Sequence, residues 1–414
     1  MDGQPILEHV ELLGRHSDSP DHYTRTYLSA AHQAAAKQIA QWMRKAGMAA
    51  RVDAVGSVIG RYEASAADAK TLLMGSHFDS VRNGGKYDGV LGILVPIACV
   101  AELHRRGERL PVAIEIAAFA DEEGARFQTS FLASRALIGR FDPAALERRD
   151  AEGVSLAEAM RAAGLDPQRV DAARIDPARL AAYVEVHIEQ GPVLLDAGLA
   201  LGVVTTIAAG IRHTLRVKGE AGHAGTVPMA MRHDALVAAA EMVLAIETRC
   251  GSADAVVGTV GILKVKEGSS NVIPGEVEFT ADIRSADGEA LDRAQREVFA
   301  DCEAIARRRG VTLERTRTHS VQAVPCAPWL QDQLAKAVER RGIAVKRLPS
   351  GAGHDAMALA EVTDVGMLFV RCGAGGVSHN PAETVSAEDA GLAAEALLDF
   401  LRRFEPQRSA RLAR

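Results

Sequence analysis

The sequence predicts an α/β protein: a mostly parallel, helix-flanked domain interrupted by a smaller α+β domain. Three observations carry this. Strand-like and helical segments alternate at both ends of the chain, and runs such as "VAIEIAAFA" are apolar almost throughout, as strands covered on both faces are. Between about residues 208 and 324 the order becomes strand, helix, strand, strand, helix, strand, the β-α-β-β-α-β order of a ferredoxin-like sandwich. A chain of 414 residues is also too long for one ordinary core, so two domains are expected.

The elements follow in order. Residues 27–48, "YLSAAHQAAAKQIAQWMRKAGM", are Ala-rich with apolar residues at helical spacing and a Gly near the end. "SVIGRYE" and "TLLMGSH" read as strands. "DGVLGILVPIACVAELHRRGE" reads as a buried helix that tolerates one Pro, and "PVAIEIAAFA" as a buried strand. Residues 140–180 read as surface helices and loops, after which "LAAYVEVHIEQG" returns to strand character. Within 208–324, "RHTLRVKGEAGH" reads as a strand and "RHDALVAAAEMVLAIETRCG" as a helix. "AVVGTVGILKVKEG" and "GEVEFTADIRS" each read as one strand. "EALDRAQREVFADCEAIARRRG" reads as a helix and "VTLERTRTHS" as a strand. Beyond them come a helix over 329–341, a strand, a helix after "GAGHDAM", the strand "VGMLFVR" and a last helix over 387–404. The simplest account is a discontinuous domain, 1–207 plus 325–414, carrying an inserted domain over 208–324.

Charge and cysteines exclude several classes. The net charge of −6 and pI near 6.1 leave no basic footprint for nucleic acid. No apolar run reaches the ~18 residues a membrane helix needs, so no membrane partner is expected. Cys99, Cys250, Cys302, Cys326 and Cys372 are scattered and odd in number. They suit neither a disulfide framework nor a zinc ribbon. With no secretory signal in the first residues, a cytoplasmic location is expected.

Four polar clusters interrupt apolar runs, each after a predicted strand, where open α/β sheets bind ligands. "GSHFDSVRNGGKYDGV" holds His77, Asp79 and Asp88. Taken singly, Asp88-Gly89 also reads as a turn and helix start, and His77 as a half-buried structural histidine. "AFADEEGARF" holds Glu122 and Glu123 directly after the most apolar strand, where unpaired charge is costly. "EVHIEQGP" holds His187 and Gln190, and "GGVSHNPAETV" holds His379. Imidazoles with carboxylates, one of them able to bridge, suit a pair of borderline divalent ions such as Zn²⁺, Mn²⁺, Co²⁺ or Ni²⁺. A spare glutamate then has proton transfer as its task.

These residues, in this order along nearly the whole chain, resemble the M20 metallopeptidase and amidase family. "NGGKYDGVLG", "HIEQGPVL", "GHAGTVPM", "SSNVIPGEVEFTADIR" and "SGAGHDAM" are similar to its carbamoylase branch. That branch contains N-carbamoyl-L-amino-acid hydrolases, β-ureidopropionases and allantoate amidohydrolases. The resemblance implies that His77, Asp88 and His187 hold one ion and that Asp88, Glu123 and His379 hold a second. It implies Glu122 as general base, Asp79 as the carboxylate orienting His77, and His223 as stabiliser of the oxyanion. It implies Asn271 and Arg284 as holders of the substrate, with Gln190, Arg212, His213, Gly353 and His354 as further contacts. The implied substrate is a small ureido acid bearing a carboxylate, cleaved to ammonia, CO₂ and an amine. The alternative within the family is an N-acyl amino acid deacylase or dipeptidase. The resemblance also implies a homodimer formed through the inserted domain.

Overall fold

The structure is a computed structural model that describes residues 1–407. Six strands precede the middle of the chain: β1 (Ala49–Val52), β2 (Val58–Tyr62), β3 (Thr71–His77), β4 (Ala113–Phe119), β5 (Leu180–Ile188) and β6 (Leu201–Ile207). The middle contributes β7 (Ala209–Lys218), β8 (Gly222–His223), β9 (Val256–Thr259), β10 (Leu263–Val265), β11 (Val272–Ile273), β12 (Glu276–Ser285), β13 (Thr312–Val321) and β14 (Val324–Pro325). The chain closes with β15 (Arg347–Ser350) and β16 (Val365–Val370). Two compact units result. The second comprises Thr206–Pro325 together with Pro349–Ala352, and the first comprises the rest. Pro349–Ala352 joins the second unit because the Ser350 carbonyl accepts from Ala208 N–H at 2.9 Å and the Gly351 carbonyl accepts from Arg284 Nη1 at 3.0 Å.

In the first unit the strands run in the order β1-β2-β4-β3-β5-β16-β6. Pairings among β4, β3, β5 and β16 are parallel, whereas β1–β2, β2–β4 and β16–β6 are antiparallel. The expected mostly parallel sheet is therefore a mixed one with a parallel centre. The reason is local: β1 and β2 form a hairpin whose turn is tied by the Asp53 carboxylate, which accepts from Val55 N–H and Ser57 N–H. A short turn reverses direction, whereas a parallel neighbour needs a long crossover. Every residue of β3, β5 and β16 is buried, in keeping with their largely apolar character.

The helix Leu91–Arg105 buries ten residues and carries Pro96 in its second turn. A Cβ on its Gly92 would overlap the Val186 carbonyl, so the helix start lies almost on β5. The chain leaves β3 through this helix to reach β4 on one side, then returns beyond β3 to form β5 on the other. That reversal is a switch point, and it opens a crevice at the carboxyl ends of β3 and β5.

The second unit holds an antiparallel sheet in the order β10-β12-β7-β13, with β9 also pairing β12. Alternate residues of β12 are buried, and Ile211, Leu215, Val217, Phe279 and Ile283 join the core formed with the helices Ala235–Ser252 and Gly288–Arg309. The expected single strand "AVVGTVGILKVKEG" is broken into β9 and β10. Thr259 pairs Asp282 and Leu263 pairs Phe279, so three residues (260–262) oppose two (280–281). The extra residue makes a bulge that interrupts the ladder. Among the described residues no helix is long and apolar enough to cross a membrane, and the five cysteines are buried and outside any disulfide.

Candidate metal centre

The parallel centre of the sheet gathers the first unit's polar residues. His77 is the last residue of β3, and His187 is the penultimate residue of β5. Their ring centroids lie 5.8 Å apart across the switch point. His77 Nδ1 donates to the Asp79 carbonyl at 3.2 Å, and His187 Nδ1 donates to the Ile188 carbonyl at 2.9 Å. Each bond assigns the proton to Nδ1 and leaves Nε2 as the ring's acceptor, which in His187 also faces Gly89 N–H at 3.3 Å. Both Nε2 atoms face the same oxygen of Asp88: Oδ1 lies 3.6 Å from His77 and 3.3 Å from His187.

The other Asp88 oxygen serves a different set. Oδ2 lies 3.2 Å from His379 Nε2, which lies 3.3 Å from Glu123 Oε1. Asp88 thus divides its two oxygens between His77 with His187 and Glu123 with His379. In each triplet the donor atoms lie within 4.8 Å of one another. Mixed imidazole and carboxylate donors in two small sets sharing one carboxylate fit a pair of borderline divalent cations.

Charge is concentrated here. Burial works against ionisation of Asp88, yet His379 and His77 hold it well below the usual carboxylate range. His379 is pushed up to about 10 by Asp88 and Glu123. Burial lowers His187 to about 4, so it is a neutral imidazole, the form that ligates.

Asp79 ties the two clusters together. Its Oδ1 lies 3.4 Å from His77 Nδ1 and accepts from Glu122 N–H at 3.0 Å, while Oδ2 accepts from Glu123 N–H at 3.2 Å. The loop after β4 is therefore pinned to the end of β3. Glu122 is buried and lies with His77 and Glu123, outside both Asp88 sets. It is the spare carboxylate. Burial raises its pKa well above the ordinary value, and Glu123 and Asp355 add to this.

Two residues expected at substrate lie against the donor sets. His354 is 1% exposed, and its ring packs edge-on against His187 at 4.5 Å. It backs a candidate ligand instead of lining open space. Gln190 Nε2 donates to both Asp88 oxygens at 3.2 Å, so it belongs to the centre itself. Gly353 is half-buried, and a Cβ there would stand 2.9 Å from the Phe131 ring.

The second unit assembles two groups of its own. His223 on β8 pairs Val272 on β11, and Ala224 N–H donates to the Asn271 carbonyl at 3.0 Å. This small ladder brings His223 and Asn271 together, both exposed. On the sheet, Asp282 accepts from Arg284 through both oxygens, at 2.8 and 3.0 Å, and from Arg212 at 2.7 Å. His213 does not join them. Side chains alternate along β7, so Arg212 is exposed on the open face while His213 is buried against Phe299 of the Gly288–Arg309 helix, 4.7 Å between centroids. The period-2 pattern of "RHTLRVK" was the signal that separates the neighbours.

Sequence reasoning missed three buried carboxylates. Glu383 lies against the Tyr87–Asp88 backbone, and Glu185 accepts from Ser76 Oγ at 2.7 Å and Ala356 N–H at 3.1 Å. Asp355 is fully buried near Glu185. For Glu185 the signal was present, since a strand apolar on both faces held one acidic residue two positions before His187.

The sequence profile described as Peptidase family M20/M25/M40 matches residues 70–403. The chain is 42% identical over 396 residues to the N-carbamoyl-L-amino acid amidohydrolase of Geobacillus stearothermophilus, with 95% of this chain and 97% of the relative covered. It is 41% identical over 424 residues to the allantoate deiminase of Arabidopsis thaliana, covering 94% of this chain and 80% of that one. A solved amidase of the hydantoinase/carbamoylase family from Burkholderia multivorans superposes with a TM-score of 0.89 at 32% identity, over 98% of this chain and 99% of that one. The chain belongs to the peptidase family M20/M25/M40.

Proposed function

We propose that this protein is a metal-dependent amidohydrolase that cleaves the ureido C–N bond of a carboxylate-bearing substrate, of the N-carbamoyl-L-amino acid or allantoate type. The observation that carries the reading is Asp88, whose two oxygens face two separate donor sets beside an uncommitted Glu122. His77, Asp88 and His187 would hold one divalent ion, and Asp88, Glu123 and His379 the other. When bound, such a pair polarises a carbonyl and lowers the pKa of water.

The chain's own residues supply the rest. Glu122 takes the proton of the attacking water and returns it to the departing nitrogen. Asp79 keeps the His77 ring and the Glu122 backbone in register. His223 donates to the oxygen that becomes negative, the type of interaction that often carries the largest catalytic share. Asn271 and Arg284 receive the substrate carboxylate, and the Asp282 and Gly351 contacts hold the Arg284 fork in a fixed orientation for it. The balance is R–NH–CO–NH₂ plus water giving R–NH₂, CO₂ and ammonia.

The second unit serves in this reading as an inserted α+β lid and dimerisation domain. Exposed Val237, Leu244, Val257, Ile262 and Leu263 support a second copy as its partner, since they lie on or beside β9, β10 and the Ala235–Ser252 helix.

The test is product release by chelated protein reloaded with Mn²⁺ or Zn²⁺, on N-carbamoyl-L-amino acids, N-carbamoyl-β-alanine, allantoate, N-acetyl amino acids and a dipeptide. Ammonia from a ureido substrate is expected, and Glu122→Ala should lower turnover by about 10²–10⁴-fold while metal content stays unchanged. Free amine from only the acyl or peptide substrates would replace the ureido reading with a deacylase or dipeptidase one.

A further inference from the structure

One buried carboxylate outside the donor sets touches both sides of the centre. Glu383 is 3% exposed and lies four residues after His379. Its Oε1 accepts from Tyr87 N–H and Asp88 N–H, each at 3.0 Å. Its Oε2 accepts from the Ser378 hydroxyl at 2.6 Å. Ser378 Oγ itself accepts from Gln190 Nε2 at 3.3 Å, the nitrogen that reaches both oxygens of Asp88. One side chain therefore links the segment that presents Asp88 to the loop that presents His379.

Two further observations support the link. Gly85 stands where a Cβ would overlap the Glu383 carboxylate. The glycine in "NGGKYDG" thus makes room for this acid. His379 has φ +53°, in the left-handed region that a residue with a Cβ seldom adopts. Something must hold it there. The Ser378–Glu383 bond on one side and the Glu383 N–H to Asn380 carbonyl bond at 3.0 Å on the other do so.

We infer that Glu383 is a positioning residue for the half of the centre formed by Asp88, Glu123 and His379, fixing the Asp88 backbone and the His379 loop to each other. The inference rests on the reading of those three residues as metal ligands. The bonds of the Glu383 carboxylate go to Tyr87, Asp88 and Ser378 of the chain itself. It acts by setting the separation of donors that a cation must bridge, so its loss should weaken cation binding more than it weakens the fold.

The experiment is a calorimetric titration of the chelated full chain with Mn²⁺ alone, with the thermal midpoint of each apoprotein as a control for folding. The parent should take up two ions. Glu383→Ala should bind one of them about 10–100-fold more weakly, the usual effect of losing a partner behind the ligands. Glu383→Gln should stay close to the parent, because an amide oxygen can still accept both N–H groups. Ser378→Ala and Gly85→Ala disturb the same link from the other side and should each weaken the same ion, and they decide the matter if Glu383→Ala does not fold. Two ions bound with parental affinity in Glu383→Ala, or in both Ser378→Ala and Gly85→Ala, would overturn the inference and leave the metal reading standing. A parent chain that takes up no ion would sink the metal reading, and the inference with it.

Discussion

Single residues here do work that their chemistry alone does not reveal. Asp88 is useful because its two oxygens point to different imidazoles, and Glu122 because it lies beside His77 and Glu123 yet outside both Asp88 sets. His32 shows the same dependence on surroundings. It is 1% exposed, stacks on Phe78 at 4.3 Å between centroids, and bonds the Ala120 carbonyl at 2.8 Å. Burial lowers its pKa from 6.5 to about 4. The folded chain then keeps His32 neutral at a pH where the unfolded chain protonates it. Stability from this residue is complete above pH ~6.5 and is lost as pH falls toward ~4, because the unfolded state binds the extra proton. The loss approaches about 3 kcal/mol at the lower end. Denaturant midpoints at pH 7 and pH 4.5 should show a smaller pH effect in His32→Gln than in the parent. Equal pH effects in the two proteins would assign the acid sensitivity to other groups.

Elements position the site by close packing. The Leu91–Arg105 helix begins three residues after Asp88, and its Gly92 lies against the Val186 carbonyl of β5. Gly92→Ala must push helix and strand apart. The expected cost is about 1–3 kcal/mol, with weaker cation uptake, since the shift passes to Asp88 on one element and to His187 on the other. A normal unfolding midpoint with normal cation uptake would show that the contact is slack. The β9–β10 bulge is another packing feature, and nothing in "AVVGTVGILKVKEG" marks the extra residue except its glycines.

At the scale of the whole molecule, the exposed apolar residues of the second unit bear on assembly. Leu244→Glu with Val257→Glu should convert a dimer to a monomer in light scattering, because a charge buried at an interface without a partner is costly. A parent chain already monomeric at micromolar concentration would remove the dimer from the proposal.

How far the sequence reached follows from what each signal encodes. Apolar runs of strand length located β3, β4, β5 and β16, because a strand covered on both faces has little room for polar residues. Charged residues after such runs marked His77, Glu122, Glu123 and His187, since burial there must be offset by a partner. The resemblance to the M20 family then supplied an order and a chemistry. Strand direction was not legible, because a residue pattern is the same read into a parallel or an antiparallel pairing, and so the mixed sheet came as a correction. The separation of His213 from Arg212 could be read from the alternation along β7, but the burial of His354 behind His187 could not, because it depends on which face packs against which neighbour. Glu383 stood in plain view in "SHNPAETV", where an acid in a loop reads as solvated. By itself the sequence determined the two-part α/β character and pointed to most of the residues gathered around Asp88, which are properties of local composition. Only the tertiary structure decided that one oxygen of Asp88 faces His77 and His187 while the other faces His379, because that sharing arises from strands and loops far apart in the chain meeting at one switch point.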